Sequence, residues 1–68
     1  MMIYSHKNTI YSLENVRKVS IENYWLNQKE NFRVIVFYTD GTNEKIECCT
    51  KGDAITTLRV IRTLLKEG

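Results

Sequence analysis

The sequence predicts an α+β fold: an antiparallel β-meander of four to five strands with one C-terminal amphipathic helix packed on one face. Three observations carry this reading. Short β-prone pieces with alternating apolar and polar residues recur up to Cys49; Asp40-Gly41 stands between two of them as a hairpin turn; and from Thr50 the apolar period lengthens from two residues to about 3.6. A chain of 68 residues is expected to form a single domain over 1–68, with strands over about 1–49 and the helix over about 51–67.

Met2-Ile3-Tyr4 and Thr9-Ile10-Tyr11 read as a first hairpin, turned by the polar group Ser5-His6-Lys7-Asn8. Leu13-Glu14-Asn15-Val16 makes a corner. Val19, Ile21, Asn23 and Trp25 then alternate with Lys18, Ser20, Glu22 and Tyr24, the pattern of a half-buried strand with Val19 and Ile21 inward. Asn27–Asn31 holds no apolar residue and reads as a solvated connection between antiparallel neighbours. Phe32–Thr39 is the most apolar run, and Asp40-Gly41 supplies the positive φ of a tight turn into a return strand, Asn43–Cys49. Thr50-Lys51-Gly52-Asp53 has the spacing of a capping box, with Thr50 as N-cap. Ala54, Ile55, Leu58, Ile61, Leu64 and Leu65 form one stripe of the helix that follows, and Gly68 closes the chain.

One helix covers one face of a sheet. The strand Phe32–Tyr38, however, carries Phe32, Val34, Val36 and Tyr38 on one side and Ile35 and Phe37 on the other. Whichever set meets the helix, the other is expected to need sheet curvature, a second layer or a second protomer. A chain this short buries only ~60% of the surface that its unfolded form exposes, so a partner would add to a thin margin.

Composition narrows the function classes. Ten basic and eight acidic residues give a net charge of +2, well short of the charge block of a nucleic-acid tail. There is no proline or low-complexity tract. The N-terminal residues lack the apolar core of a secretory signal, and no run approaches the ~18 apolar residues of a membrane span, so a cytoplasmic protein without membrane contact is expected. Cys48 and Cys49 are adjacent, point to opposite faces of a strand and are expected to be free, one buried and one exposed. His6, alone of its kind and expected in an exposed turn, finds no second ligand at metal-binding spacing. No nucleophile elbow, P-loop or dinucleotide glycine pattern occurs, and the glutamates lie at wet positions related only by sequence distance. No catalytic, metal or cofactor residue is therefore expected, and the chain reads as a non-enzyme.

Two sets of residues remain as candidates. Tyr24 and Trp25 stand side by side near a strand end, and together with Ile35 and Phe37 they are the expected interface of a self-associating module or of a protein partner. Arg59, Arg62 and Lys66 recur at helical spacing beside the apolar stripe and, with Lys51, form a basic edge. This is the basis of the alternative, a nucleic-acid-binding accessory protein.

The string Ile10-x-x-Leu13-x-Asn15-Val16-x-x-Val19-x-Ile21, then Val34-x-Val36-x-Tyr38-x-Asp40-Gly41, then an amphipathic helix, resembles small uncharacterised bacterial, phage or mobile-element proteins. Some of these are similar to a reduced pleckstrin-homology-like arrangement. The resemblance implies a curved antiparallel sheet closed by one terminal helix, and it brings no catalytic residue or cofactor.

Overall fold

The computed structural model describes residues 2–67. Met1, within the expected strand region, and Gly68, read as following the helix, lie outside the described residues. Five antiparallel strands precede one helix: β1 (Ile3–His6), β2 (Thr9–Ser12), β3 (Val16–Leu26), β4 (Lys29–Tyr38), β5 (Asn43–Glu47) and α1 (Lys51–Glu67). The α+β arrangement is the expected one, with the strands divided between two sheets. β1 and β2 pair only with each other, and β3-β4-β5 form a three-stranded sheet with β4 in the centre.

Two turns are tighter than the sequence pattern suggests. Lys7 and Asn8 alone turn the first hairpin, both with positive φ (47° and 67°), so His6 belongs to β1 rather than to a turn. It lies half-buried on the side of β1 that carries Tyr4. Likewise Asn27 and Gln28 (φ 51° and 63°) turn the second hairpin, and the expected loop Asn27–Asn31 is mostly strand. Paired positive φ values match the right-handed twist of the flanking strands. Both turns stand where the sequence places them but are shorter than it suggests, because neither has glycine in its second position to mark a two-residue turn.

The third turn follows expectation. Gly41 takes φ 93°, and the Asp40 carboxylate accepts hydrogen bonds from the Thr42 backbone N–H (2.9 Å) and hydroxyl (2.6 Å). A register shift between Val16 and Lys18 leaves Arg17 as a bulge at the start of β3.

Register assigns the faces. Val19, Ile21, Asn23 and Trp25 share the inner face with Glu30, Phe32, Val34 and Val36, and Ile46 lies opposite Val34. Leu13, Val34, Val36, Ile46, Cys48, Ala54 and Ile61 make the core, bordered by Met2, Tyr4 and Tyr11 from the first hairpin and by Leu64 and Leu65 from the helix. Thus α1 and the first hairpin both seat on the inner face. Tyr38 ties the two sheets, its hydroxyl donating to the Ser12 carbonyl at 2.7 Å.

Thr50 caps α1 as expected: its hydroxyl accepts from the Asp53 N–H (3.2 Å) and its carbonyl from the Ala54 N–H (3.1 Å). The return half of a capping box does not form, because the Thr50 N–H donates to the Cys48 carbonyl at 2.7 Å instead. The helix stripe also includes a residue that its polarity concealed. Thr57 is buried, with its hydroxyl 3.6 Å from the Cys48 thiol, which also lies 3.4 Å from the Ile46 carbonyl. Cys48 is buried and Cys49 exposed, both free.

The proportions of these elements decide what stays uncovered. Eleven residues of β3 span about 36 Å, whereas the seventeen of α1 span about 25 Å and the five of β5 about 17 Å. The β3–β4 ribbon therefore sets the 38 Å long axis, and its tip runs beyond both neighbours.

Candidate interaction surface

The outer face of the sheet carries Lys18, Ser20, Glu22, Tyr24 and Leu26 from β3, Arg33, Ile35 and Phe37 from β4, and Lys45 and Glu47 from β5. At its centre Arg33 donates to Glu22 Oε1 through Nε (2.6 Å) and Nη2 (2.5 Å) and reaches Glu47 Oε1 at 3.4 Å. Its guanidinium also lies 4.3 Å from the centre of the Tyr24 ring, and the Tyr24 hydroxyl donates to Glu47 Oε2. The bond to Glu47 holds the Tyr24 hydroxyl above its ordinary pKa, and the bond to Glu22 raises that of Arg33. Further along, Lys18 Nζ sits 4.7 Å from the centre of the Phe37 ring.

This layer changes the expectation for Ile35 and Phe37. Ile35 is only 6% exposed in the protomer, lying between Ser20 and Lys45 across the strands and between Arg33 and Phe37 along its own. Phe37 is half-buried under Lys18. The stems of Lys and Arg are long enough to cover apolar neighbours while their charges stay in water, so no second layer is needed over these two residues. Ile35 consequently offers little surface for the contact expected of it.

Tyr24 and Trp25 are not one patch either. Neighbours on a strand face opposite ways: Tyr24 belongs to the outer network, while Trp25 lies on the inner face. At the ribbon tip, past the reach of α1, Trp25 is 69% exposed, and Leu26 behind it is 56% exposed. The sequence reading left out Leu26 and the meeting of Glu22, Arg33 and Glu47. A two-residue turn at Asn27-Gln28, once recognised, would have placed Arg33 opposite Glu22 directly.

The outer edge of β3 is the longest unpaired stretch of backbone. The two-residue turn makes Leu26 and Lys29 a hydrogen-bonded pair, and by alternation the N–H and C=O groups of Val19, Ile21 and Asn23 point away from β4. Among the described residues no backbone or side-chain hydrogen bond reaches them. Beyond the Arg17 bulge and Lys18, the strand from Val19 to Leu26 has a single charged residue, Glu22, and neither proline nor glycine. These are the devices that normally keep a sheet edge from pairing.

On α1, the spacing of Arg59, Arg62 and Lys66 places them within an arc of about 60°, with Lys51 on the same flank, and all four are exposed. Among the described residues, Arg33 alone among the cations lies within ion-pair distance of a carboxylate, so this flank is uncompensated.

Among the described residues no three His, Cys, Asp or Glu side chains are placed to share a metal ion, and no pocket opens. No helix among them is long and apolar enough to cross a membrane. Set against protein-family models, curated proteins and solved structures, the chain matches none.

Proposed function

We propose that this chain is a small non-enzymatic interaction module that associates with a second copy of itself through the β3–β4 ribbon. The observation that carries this reading is the bare outer edge of β3, an eleven-residue strand on which, among the described residues, the backbone N–H and C=O groups of Val19, Ile21 and Asn23 have no hydrogen-bond partner. An edge of this length costs nothing to solvate, but it pairs readily with another strand, and apart from Glu22 the features that would discourage pairing, the Arg17 bulge and Lys18, sit at one end. Exposed Trp25 and Leu26 at the ribbon tip add apolar surface that a partner would cover. A reducing, cytoplasmic setting belongs to the same proposal, since Cys49 is a free exposed thiol. Sedimentation equilibrium at micromolar concentration tests it: the proposal expects twice the chain mass, whereas a strict monomer up to millimolar concentration would refute it.

The alternative reading, a nucleic-acid accessory protein, draws on the uncompensated flank of Lys51, Arg59, Arg62 and Lys66. It expects binding to DNA or RNA at low salt that weakens steeply as salt rises, and that Arg59→Ala/Arg62→Ala reduces. No mobility shift at low salt would remove it.

A further inference from the structure

We infer that two copies pair antiparallel along β3 about a two-fold axis at Ser20, joining their three-stranded sheets into one of six strands. This rests on the self-association proposed above and assigns it a register. In a symmetric antiparallel pairing each residue meets the one equally far on the other side of the axis, so the axis position decides every contact.

An axis at Ser20 sets Lys18 opposite Glu22 of the second copy, twice by symmetry, on the outer face. On the inner face it sets Val19 opposite Ile21 of the second copy, two half-buried aliphatic residues bordering the core. Both are among the residues whose backbone groups point outward, so they form hydrogen-bonded pairs. The neighbouring registers are worse. An axis at Ile21 puts Val19 against Asn23, and an axis at Glu22 puts two carboxylates face to face.

Glu22 is available for this contact. Arg33 occupies only its Oε1, and among the described residues Oε2 has no partner. Lys18, whose ammonium lies 4.7 Å from the centre of the Phe37 ring, has no carboxylate within ion-pair distance among the described residues and can turn to the edge. The small Ser20 side chain at the axis lets the strands approach. Pairing ends at the Arg17 bulge, and the ribbon tip then runs level with the second copy's Glu14–Val16 corner, where exposed Trp25 would gain cover. On β5 an axis at Ile46 would likewise set Lys45 opposite Glu47 of the second copy, but both Glu47 oxygens are already engaged within the protomer, Oε1 by Arg33 and Oε2 by the Tyr24 hydroxyl.

The test is cysteine cross-linking of the full chain in a Cys49→Ser background, with sedimentation run in parallel. Ser20→Cys should give a disulfide-linked dimer under mild oxidation, because residues on the axis face each other at cross-strand distance. Asn43→Cys, on the outer face of β5, should not. As a second readout, Lys18→Glu and Glu22→Lys should each weaken association roughly tenfold, and the double exchange should restore it, since like charges opposite one another repel and the swap re-pairs them. A dimeric mass with Ser20→Cys linking no faster than Asn43→Cys, and no rescue by the double exchange, would overturn the register and leave self-association standing. A monomeric mass would overturn both.

Discussion

Gln28 holds φ 63° in the second position of the β3–β4 turn, a conformation that costs an L-residue with a Cβ roughly 1–2 kcal/mol and glycine almost nothing. Gln28→Gly should therefore stabilise the protein by about 1 kcal/mol, offset in part by the added freedom of the unfolded chain, and should raise the urea midpoint without changing the slope. Asp40 makes the opposite kind of contribution, through charge. Its carboxylate accepts from the Thr42 hydroxyl and N–H, and these bonds hold its pKa below the ordinary value. A carboxyl group lowered on folding stabilises the native state above its unfolded pKa of about 4 and loses that contribution as pH falls through its folded value. Asp40→Ala should thus lower the urea midpoint at neutral pH, and the difference from the parent should shrink as pH drops below about 4. An equal gap at every pH would mean that the carboxylate charge has no part in it. At this scale the sequence was informative where residue type and conformation agree, as at Asp40-Gly41. It was silent where Lys7, Asn8, Asn27 and Gln28 adopt positive φ under the constraint of strands already paired.

Among the elements, α1 depends on its cap and on a narrow buried stripe. Thr50→Ala should cost about 1 kcal/mol, because the Asp53 N–H loses its acceptor. Ile61→Ala should cost about 2–5 kcal/mol, whereas Val60→Ala, at a 40% exposed position, should change the chemical denaturation midpoint little. The helix, its cap and most of its stripe were legible because its period departs from that of the strands. Thr57 was not: its spacing from Ala54 and Ile61 fits the stripe, but its hydroxyl reads as polar, and Cys48, which it meets, comes from another part of the chain. The strands were legible in order and direction, but their register was not. With the β3–β4 turn read as five residues instead of two, the facing of Glu22 and Arg33 could not be deduced.

For the whole molecule, the apolar surplus of Phe32–Tyr38 was correctly visible in the sequence, while its solution was not. Lys18, Arg33, Lys45 and Tyr24 close the outer face from within the protomer, through cross-strand neighbours that only register reveals. The unsatisfied feature is thereby moved from a sheet face to a sheet edge. A domain this small gains from an added strand, since pairing along β3 would satisfy outward backbone groups and bury aliphatic edges together. Amide hydrogen exchange read residue by residue tests this most directly. If two copies pair along β3, the Val19 and Ile21 amides, which have no acceptor among the described residues of the protomer, should exchange slowly at high concentration and lose that protection on dilution, while Val34 and Val36 in the central strand stay protected throughout. Fast exchange at Val19 and Ile21 at every concentration, beside a protected β4, would contradict it.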